Sequence, residues 1–449
     1  MEHDPFILGE KRKIDPYRRP IGTGDMLGDG TPNNYDRVEI GPTDLAFREW
    51  QALGLTLPDM PALRDYRLSR LVTEMQARDY GALLLFDPLN IRYATDTSNM
   101  QIWVMHNFCR AVLVTADGHL TLWDYKPAKH LSAYLPNVHD LRTGADFFYM
   151  DAAQRAEERA LVFAQEVDAI VRERIGGSNR RLAVDKMELA THWGLEKCGF
   201  EIKIGQEVTE HARKIKNANE LNAMRCAIAG CEAAMAEMQA AVRPGMTEVE
   251  AWAELQKGNH IRGGEWIETR ILSSGPRTNP WFQECGPRVM KEGDILAYDT
   301  DMVGAYGYCA DLSRTFKIGD GKPTDAEREA YQVAHDQIQN NMQLLKPGVS
   351  FRELTEGAKP LPEKFRERRY SVMYHGVGLC DEYPAVVYPE DWESVGYDGE
   401  LVPGMVVCVE AYVGSVGGPC GVKLEDQVAI TETGYENLTR YPFEDRLLA

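Results

Sequence analysis

The sequence predicts a two-domain α/β protein whose second domain is assembled from two related halves. Three observations carry this. The chain has 449 residues, more than one ordinary domain accommodates. Short apolar strands alternate with amphipathic helices through its first half. One pattern of helix, turn and capped helix occurs twice in its second half.

Residues 1–62 are rich in Gly, Pro, Asp and Asn and show little periodicity. They read as an extended arm lying on another surface, such as a partner subunit, with Phe6, Ile7, Leu8, Phe47 and Trp50 as anchors. A first domain is expected over 63–205. Residues 64–78 have helical spacing, with Leu68, Leu71, Val72 and Met75 on one face. Residues 82–86 form a buried strand ended by Asp87-Pro88, and strands at 111–115 and 120–123 flank the Asp117-Gly118 turn. A helix over about 153–174 then precedes a strand at 181–184.

The second domain, 206–449, contains the repeat. A helix over about 220–241 ends in Arg243-Pro-Gly-Met-Thr-Glu-Val-Glu250, and another over 326–345 ends in Lys346-Pro-Gly-Val-Ser-Phe-Arg-Glu353. In both, a basic-Pro-Gly stop is followed by Thr or Ser placed to cap the next helix. The shared context suggests duplicated α/β halves.

Composition narrows the function. Fifty basic against sixty-nine acidic residues leave a formal charge of −19, which repels nucleic acid and anionic membrane surfaces. An anionic ligand would need a locally positive site, for instance a metal. The nine cysteines are scattered without a CxxC pair, so neither a disulfide framework nor a zinc knuckle is suggested. With no secretion signal and no apolar run of the roughly 18 residues a membrane helix needs, a cytoplasmic protein is expected.

The chemistry concentrates in the second domain. In Asp294-Ile-Leu-Ala-Tyr-Asp-Thr-Asp-Met-Val303, strand alternation places Asp299 and Asp301 on one face, with Asp311 on the returning strand. Carboxylates gathered in an apolar hairpin repel one another unless a cation holds them. His375, Glu410 and Glu425 follow, each in or beside a run that reads as a buried strand. Singly, each also fits a strand-end carboxylate facing water or a core histidine bonded to backbone. Together and in this order they point to a metal site.

These segments resemble the ligand signature of the pita-bread metalloenzymes (creatinase, prolidase and methionine aminopeptidase). Asp311, His375, Glu410 and Glu425 match its last four positions. Lys216-Asn with the following Glu-Leu, the Arg-Pro-Gly-Met-Thr-Glu turn and Ser274-Gly-Pro also resemble that family, and Asn90-Ile-Arg-Tyr93 resembles its creatinase/prolidase N-terminal domain. The resemblance implies a creatinase/prolidase-like α/β domain followed by a pita-bread domain with pseudo-twofold halves. The donor set suits Mn, Fe, Co or Zn, as two ions bridged by carboxylates.

Three departures separate the chain from the peptidases. Thr300 stands eleven residues before Asp311, where the first Asp ligand belongs, and Asp299 and Asp301 flank it. Trp281 stands where a histidine is expected after Ser-Gly-Pro. In His375-Gly-Val-Gly-Leu-Cys-Asp-Glu-Tyr-Pro384 one residue is missing and Asp381 replaces the second histidine. Those two histidines serve the tetrahedral intermediate of peptide hydrolysis.

A carboxylate base, an aromatic wall and two metals suit proton abstraction beside a carboxylate, with loss of a cationic β-leaving group. Trp281, Tyr370 and Tyr374 are candidates to face that cation through their rings. The combination resembles the DddP-type dimethylsulfoniopropionate lyases. That resemblance implies cleavage to dimethyl sulfide and acrylate in a homodimer with iron. Asp381 would be the base, and Asp299, Asp301, Asp311, His375, Glu410 and Glu425 the metal ligands. Competing readings are an Xaa-Pro metallopeptidase, with His106 or His260 restoring the lost imidazole, and a non-catalytic binding protein.

Overall fold

The computed structural model describes residues 41–133 and 135–448, and of the arm expected over 1–62, residues 1–40 with Phe6, Ile7 and Leu8 lie outside them. The described chain divides into two compact units, one of residues 58–213 and one of residues 41–57 with 214–448.

The first unit is built on β1 (Ala82–Leu85), β2 (Ala111–Thr115), β3 (Leu120–Trp123), β4 (Asp140–Arg142), β5 (Arg181–Val184) and β6 (Glu201–Ile204). They form one mixed sheet in the order β4-β3-β2-β1-β5-β6. β1 is buried along its whole length because it lies between β2, antiparallel, and β5, parallel. Helix Ala156–Ile175 lays Phe163, Val167 and Val171 against Phe86, Leu113 and Trp123. Helix Met60–Ala77 buries Leu71 and Met75 as its periodicity predicts, but also Arg64 and Arg67. Both guanidinium groups face Asp96, Arg64 at 2.9 Å and Arg67 at 3.8 Å.

In the second unit, helix Asp44–Ala52 belongs to the segment expected as an arm. Its Trp50 donates from Nε1 to Cys226 O at 3.0 Å and stacks on Tyr306. Trp50 and Phe47 are thus anchors against this chain's own helix Ala218–Ala241 and its surroundings. The strands are β7 (Trp266–Ile267), β8 (Leu272–Ser274), β9 (Ile295–Asp299), β10 (Met302–Val303), β11 (Cys309–Ala310), β12 (Ser313–Lys317), β13 (Tyr374–Val377), β14 (Asp381–Val386), β15 (Val406–Gly414), β16 (Gly421–Ile430) and β17 (Tyr435–Asn437). They form sheets β11-β10-β7, β12-β9-β8 and β14-β13-β15-β16-β17. The Thr315 hydroxyl joins the second sheet to the third, donating to Lys423 O and accepting from Lys423 N at 3.0 and 3.1 Å.

The internal repeat is visible in the helix ends. Asn217 with Glu220 and Thr324 with Glu327 form capping boxes on the long helices Ala218–Ala241 and Asp325–Met342. Thr247 with Glu250 and Ser350 with Glu353 do the same on Glu248–His260 and Phe351–Gly357. In each half the Pro-Gly turn needs a positive φ, +91° at Gly245 and +80° at Gly348. Each cap satisfies two otherwise orphaned groups, so Thr247→Ala is expected to lower unfolding free energy by about 1 kcal/mol in urea titration, with turnover unchanged.

Candidate metal centre

The register of two buried strands sets up the site. β15 pairs with β16 so that Glu410 lies directly opposite Glu425, and both side chains are excluded from solvent. Like charges at directly opposed positions destabilise a sheet unless something positive lies between them. On the neighbouring β13, His375 aims Nε2 at Glu425 Oε1 (3.2 Å), Asp311 Oδ2 (3.3 Å) and Glu410 Oε1 (3.4 Å). Its Nδ1 lies 3.1 Å from Gly376 O, so a proton there donates to the carbonyl and leaves the Nε2 lone pair facing the carboxylates. That is the arrangement of a metal-ligating histidine.

The hairpin supplies the remaining acids in a way strand alternation does not describe. β9 ends at Asp299, and β10 belongs to a different sheet. Between them Asp301 takes a φ of +35°, a strained conformation for a residue with a side chain. Asp311 lies between β11 and β12 rather than within a strand. Oxygens of Asp299, Asp301 and Asp311 nevertheless fall within 4.8 Å of one another. Thr300 holds the break together. Its hydroxyl donates to Ala310 O at 2.8 Å and accepts from Leu312 N at 2.9 Å, so the residue at the missing ligand position is a structural clip.

The electrostatics fit a cation-binding cage. Burial raises the Asp301 carboxyl well above its usual range, and the charges of Asp299 and Asp381 add to the effect. Asp311 is raised likewise by burial, then by Glu425 and Asp301. Burial pushes Glu410 up to about 8, although Lys423 opposes the shift. Glu425 runs the other way: burial would raise it, but Lys423 and His375 hold it well below the carboxylate range. His375 is driven toward its protonated form by Asp381, Asp311 and Glu425 despite its burial. Protons here do what a metal would do. Asp311 Oδ1 is buried without a hydrogen bond, and the two Glu410 oxygens meet only the charged groups of His375 and Lys423, which agrees with a donor set built for an ion.

Beside the cage an open cavity of about 420 Å³ is lined by Tyr370, His375, Asp381, Tyr383, Tyr397 and Glu410, among others. Asp381 begins β14, its Oδ1 3.7 Å from His375 Nδ1 and its side chain 51% exposed to the cavity. Its carboxyl is raised by the partial burial the walls impose and by Glu425 and Asp299, while His375 lowers it. A bulge between His375 and Gly376 in the β13–β14 pairing sets this position. Gly376 is required there, because a Cβ would meet the Tyr383 carbonyl. The next residue, Glu382, is buried against the Lys216 ammonium, which ties β14 to the segment just before helix Ala218–Ala241.

The aromatic candidates separate. Tyr370 lines the cavity and stacks on Phe282 at 5.2 Å. Trp281 is only 6% exposed and stacks on Tyr412, behind the cavity wall. Tyr374 departs from expectation. Alternation along β13 turns it away from His375 into the core, where its hydroxyl donates to Asn341 O at 3.1 Å. Tyr383 and Tyr397, stacked at 5.7 Å, occupy the cavity instead. His260 sits exposed at a helix end near Gly264 O, and His106 lies in the other unit.

Two residues at the centre are ones that the sequence motifs do not single out. Cys408 Sγ lies 3.5 Å from Asp311 Oδ2, and Lys423 Nζ lies 2.7 Å from Glu425 Oε2. Each stands two positions before a candidate ligand glutamate on a strand, hence on the same face, and that spacing is the signal the sequence offers.

Comparison with known proteins agrees with this geometry. Residues 222–432 match the metallopeptidase family M24, and residues 67–215 match the creatinase/prolidase N-terminal domain. The chain is 52% identical over 444 residues to the dimethylsulfoniopropionate lyase DddP of Roseovarius nubinhibens, covering 98% of both chains. It is 51% identical over 442 residues to that of Roseobacter denitrificans, covering 97% of this chain and 98% of the relative. This chain belongs to the DddP dimethylsulfoniopropionate lyase family. Its fold is shared with an Xaa-Pro dipeptidase from Bacillus anthracis, at a TM-score of 0.67 and 22% identity over 85% of this chain and 99% of that one. Similarity to a prolidase from Pyrococcus furiosus, at 0.65 and 20% over 82% and 99%, again concerns the fold. DddP-family membership thus sits on a prolidase-like scaffold with a metal-ligand constellation. No described helix is long and apolar enough to cross a membrane.

Because the Thr300 hydroxyl serves one buried acceptor and one buried donor, Thr300→Val is expected to cost about 2 kcal/mol in chemical denaturation. Its metal content, read by mass spectrometry of the purified protein, should fall as the hairpin loosens.

Proposed function

We propose that this protein cleaves dimethylsulfoniopropionate to dimethyl sulfide and acrylate by β-elimination, with Asp381 as general base. The observation that carries the reading is the cavity-facing Asp381 carboxylate beside the ligand cage, where the peptidase pattern has a histidine. The kinship to two DddP lyases over nearly the whole chain supports the substrate.

Asp299, Asp301, Asp311, His375, Glu410 and Glu425 would hold two divalent ions. The family resemblance favours iron, and the same donors accept Mn, Co or Zn. When bound, the ions supply Lewis acidity toward the substrate carboxylate, which acidifies the adjacent C–H. Asp381 takes that proton, its raised pKa making it a stronger base than an ordinary carboxylate. The C–H electron pair becomes the C=C bond of acrylate, and the C–S bond breaks with its electrons leaving on dimethyl sulfide. Asp381 then returns the proton to solvent through its exposed side. Tyr370, Tyr383 and Tyr397 wall the cavity that would take the sulfonium. Trp281 supports the site from behind.

A homodimer is part of this reading on family resemblance. A cytoplasmic setting is supported by nine cysteines, all of them free thiols. The competing Xaa-Pro peptidase reading rests on fold similarity, and Asp381 offers no proton donor in its ionised form for a tetrahedral oxyanion.

Headspace measurement of dimethyl sulfide tests the assignment. Metal-replete protein should release it from dimethylsulfoniopropionate, and Asp381→Asn should lose at least about a thousandfold in kcat with metal content intact. No release by the metal-replete wild type, or full activity in the variant, would refute the substrate or the base respectively. The kcat/KM profile should fall on acidification as Asp381 becomes protonated, with its limb above the ordinary carboxylate range near ~4. Tyr370→Leu should raise KM by about tenfold with a smaller change in kcat, and Tyr370→Phe should retain most of the affinity.

A further inference from the structure

Lys423 has no role in the reaction outlined above, yet it sits at the middle of the ligand set. Its side chain is completely buried. Its Nζ lies 2.7 Å from Glu425 Oε2, 2.9 Å from Glu410 Oε2 and 3.0 Å from Asp299 Oδ2. It also donates to Ser313 Oγ at 2.8 Å, and that oxygen lies 2.6 Å from Asp299 Oδ1 and 2.8 Å from Glu425 Oε2. The Tyr370 ring covers the ammonium at 4.7 Å, with Trp281 at 5.9 Å.

The two glutamates are therefore divided. Oε1 of each faces His375 Nε2 and Oε2 of each faces Lys423. We propose that Lys423 is a resident cation of the metal centre, a positioning residue that fixes the outer oxygens of Asp299, Glu410 and Glu425 and competes electrostatically with the ions those carboxylates bind.

Carboxylates this close and this dry do not stay together without positive charge. An ammonium in contact with three of them supplies some of it before any metal arrives, so ligand geometry exists in the metal-free protein. Once ions enter, Lys423 and the metals share the same anions and repel each other. Coupling between two such ligands is reciprocal, so each cation stabilises the site more when the other is absent. The lysine thus preorganises the cage while weakening its grip on metal.

This role for Lys423 rests on the metal-centre reading, and the test separates the two. Wild type, Lys423→Met and Lys423→Arg are stripped with chelator, then titrated with Mn(II) by calorimetry, and thermal unfolding is followed with and without the ion. Lys423→Met is expected to bind Mn(II) about tenfold more tightly. Its melting temperature should drop by at least about 3 °C more in the metal-free form than in the loaded form. Lys423→Arg, which keeps the charge, should stay close to wild type in both measurements. Equal losses in both forms with unchanged affinity would reduce Lys423 to packing, and weaker binding in Lys423→Met would make it a support for the ion; either overturns the proposal. If Lys423→Met folds only with metal, release of Mn(II) to excess chelator replaces the titration, slower than wild type if the proposal holds and equal or faster if it fails. A wild type that binds no divalent ion would remove the metal centre itself, a result distinct from unchanged affinity in the variant.

Discussion

Mutual repulsion among buried carboxylates is the constraint around which the second unit is organised. Glu410 and Glu425 face each other, both buried, across a strand pair, and the hairpin brings Asp299, Asp301 and Asp311 to the same place. In an ordinary sheet this arrangement would be selected against. Here the surrounding structure compensates at several points. Lys423 and His375 share the glutamates between them, and Ser313 and Thr269 hydroxyls approach Asp299 and Asp301 at 2.6 Å. Local rules are broken where function requires it, and the neighbourhood carries the cost.

Holding such a cage needs a scaffold that does not relax. The duplicated halves provide one, with capping boxes at corresponding helix starts and β12 joined to β16 through the Thr315 hydroxyl. Arg314 adds a second clamp, bonding Glu425 O at 2.7 Å, Asp426 at 2.8 Å and Tyr441 O at 2.6 Å. The backbone carbonyl of a ligand residue is thereby fixed to the C-terminal segment. The strained φ at Asp301 persists because Thr300, one residue before it, is pinned on both sides.

Much of this was legible in the sequence, because short apolar runs, turn residues and capping residues act locally. Strands 111–115 and 120–123 occur on either side of the Asp117-Gly118 turn, and strand 181–184 follows the long helix as expected. The chain order of Asp, His, Glu and Glu was equally readable, since each acid interrupts an apolar run that has no other reason to contain it. What the sequence concealed depends on tertiary geometry. Alternation put Asp299 and Asp301 on one face, whereas the strand ends between them and a positive φ brings them together. Tyr374 adjoins His375 in sequence, but neighbours on a strand point to opposite sides, while β14 brings Tyr383 and the later loop Tyr397 to the cavity instead. The burial of Lys423 is not legible in the sequence because a lysine normally lies at the surface, and only the cage makes its burial tolerable. Arg64 and Arg67 hid in the same way behind an apolar helix pattern, with Asp96 as the distant partner.

The replacement of an imidazole by Asp381 explains how a hydrolase scaffold can host a lyase. A protonated histidine can donate to the oxyanion of a tetrahedral intermediate, whereas an ionised carboxylate only accepts and would repel it. That exchange removes a requirement of peptide hydrolysis and, on the proposed reading, supplies the base that β-elimination needs. The base must also remain free of the metal-ligand network. His375 meets this condition by directing Nδ1 to Gly376 O, 3.1 Å away, so that Asp381 at 3.7 Å is a neighbour of the imidazole rather than its partner. Its exposed side then faces the cavity, where the proposed reaction needs a base. On the proposed reading the candidate cage and the base occupy one strand corner with separate hydrogen-bonding duties, and this separation suits a site that keeps only four of the peptidase ligand positions for a different reaction.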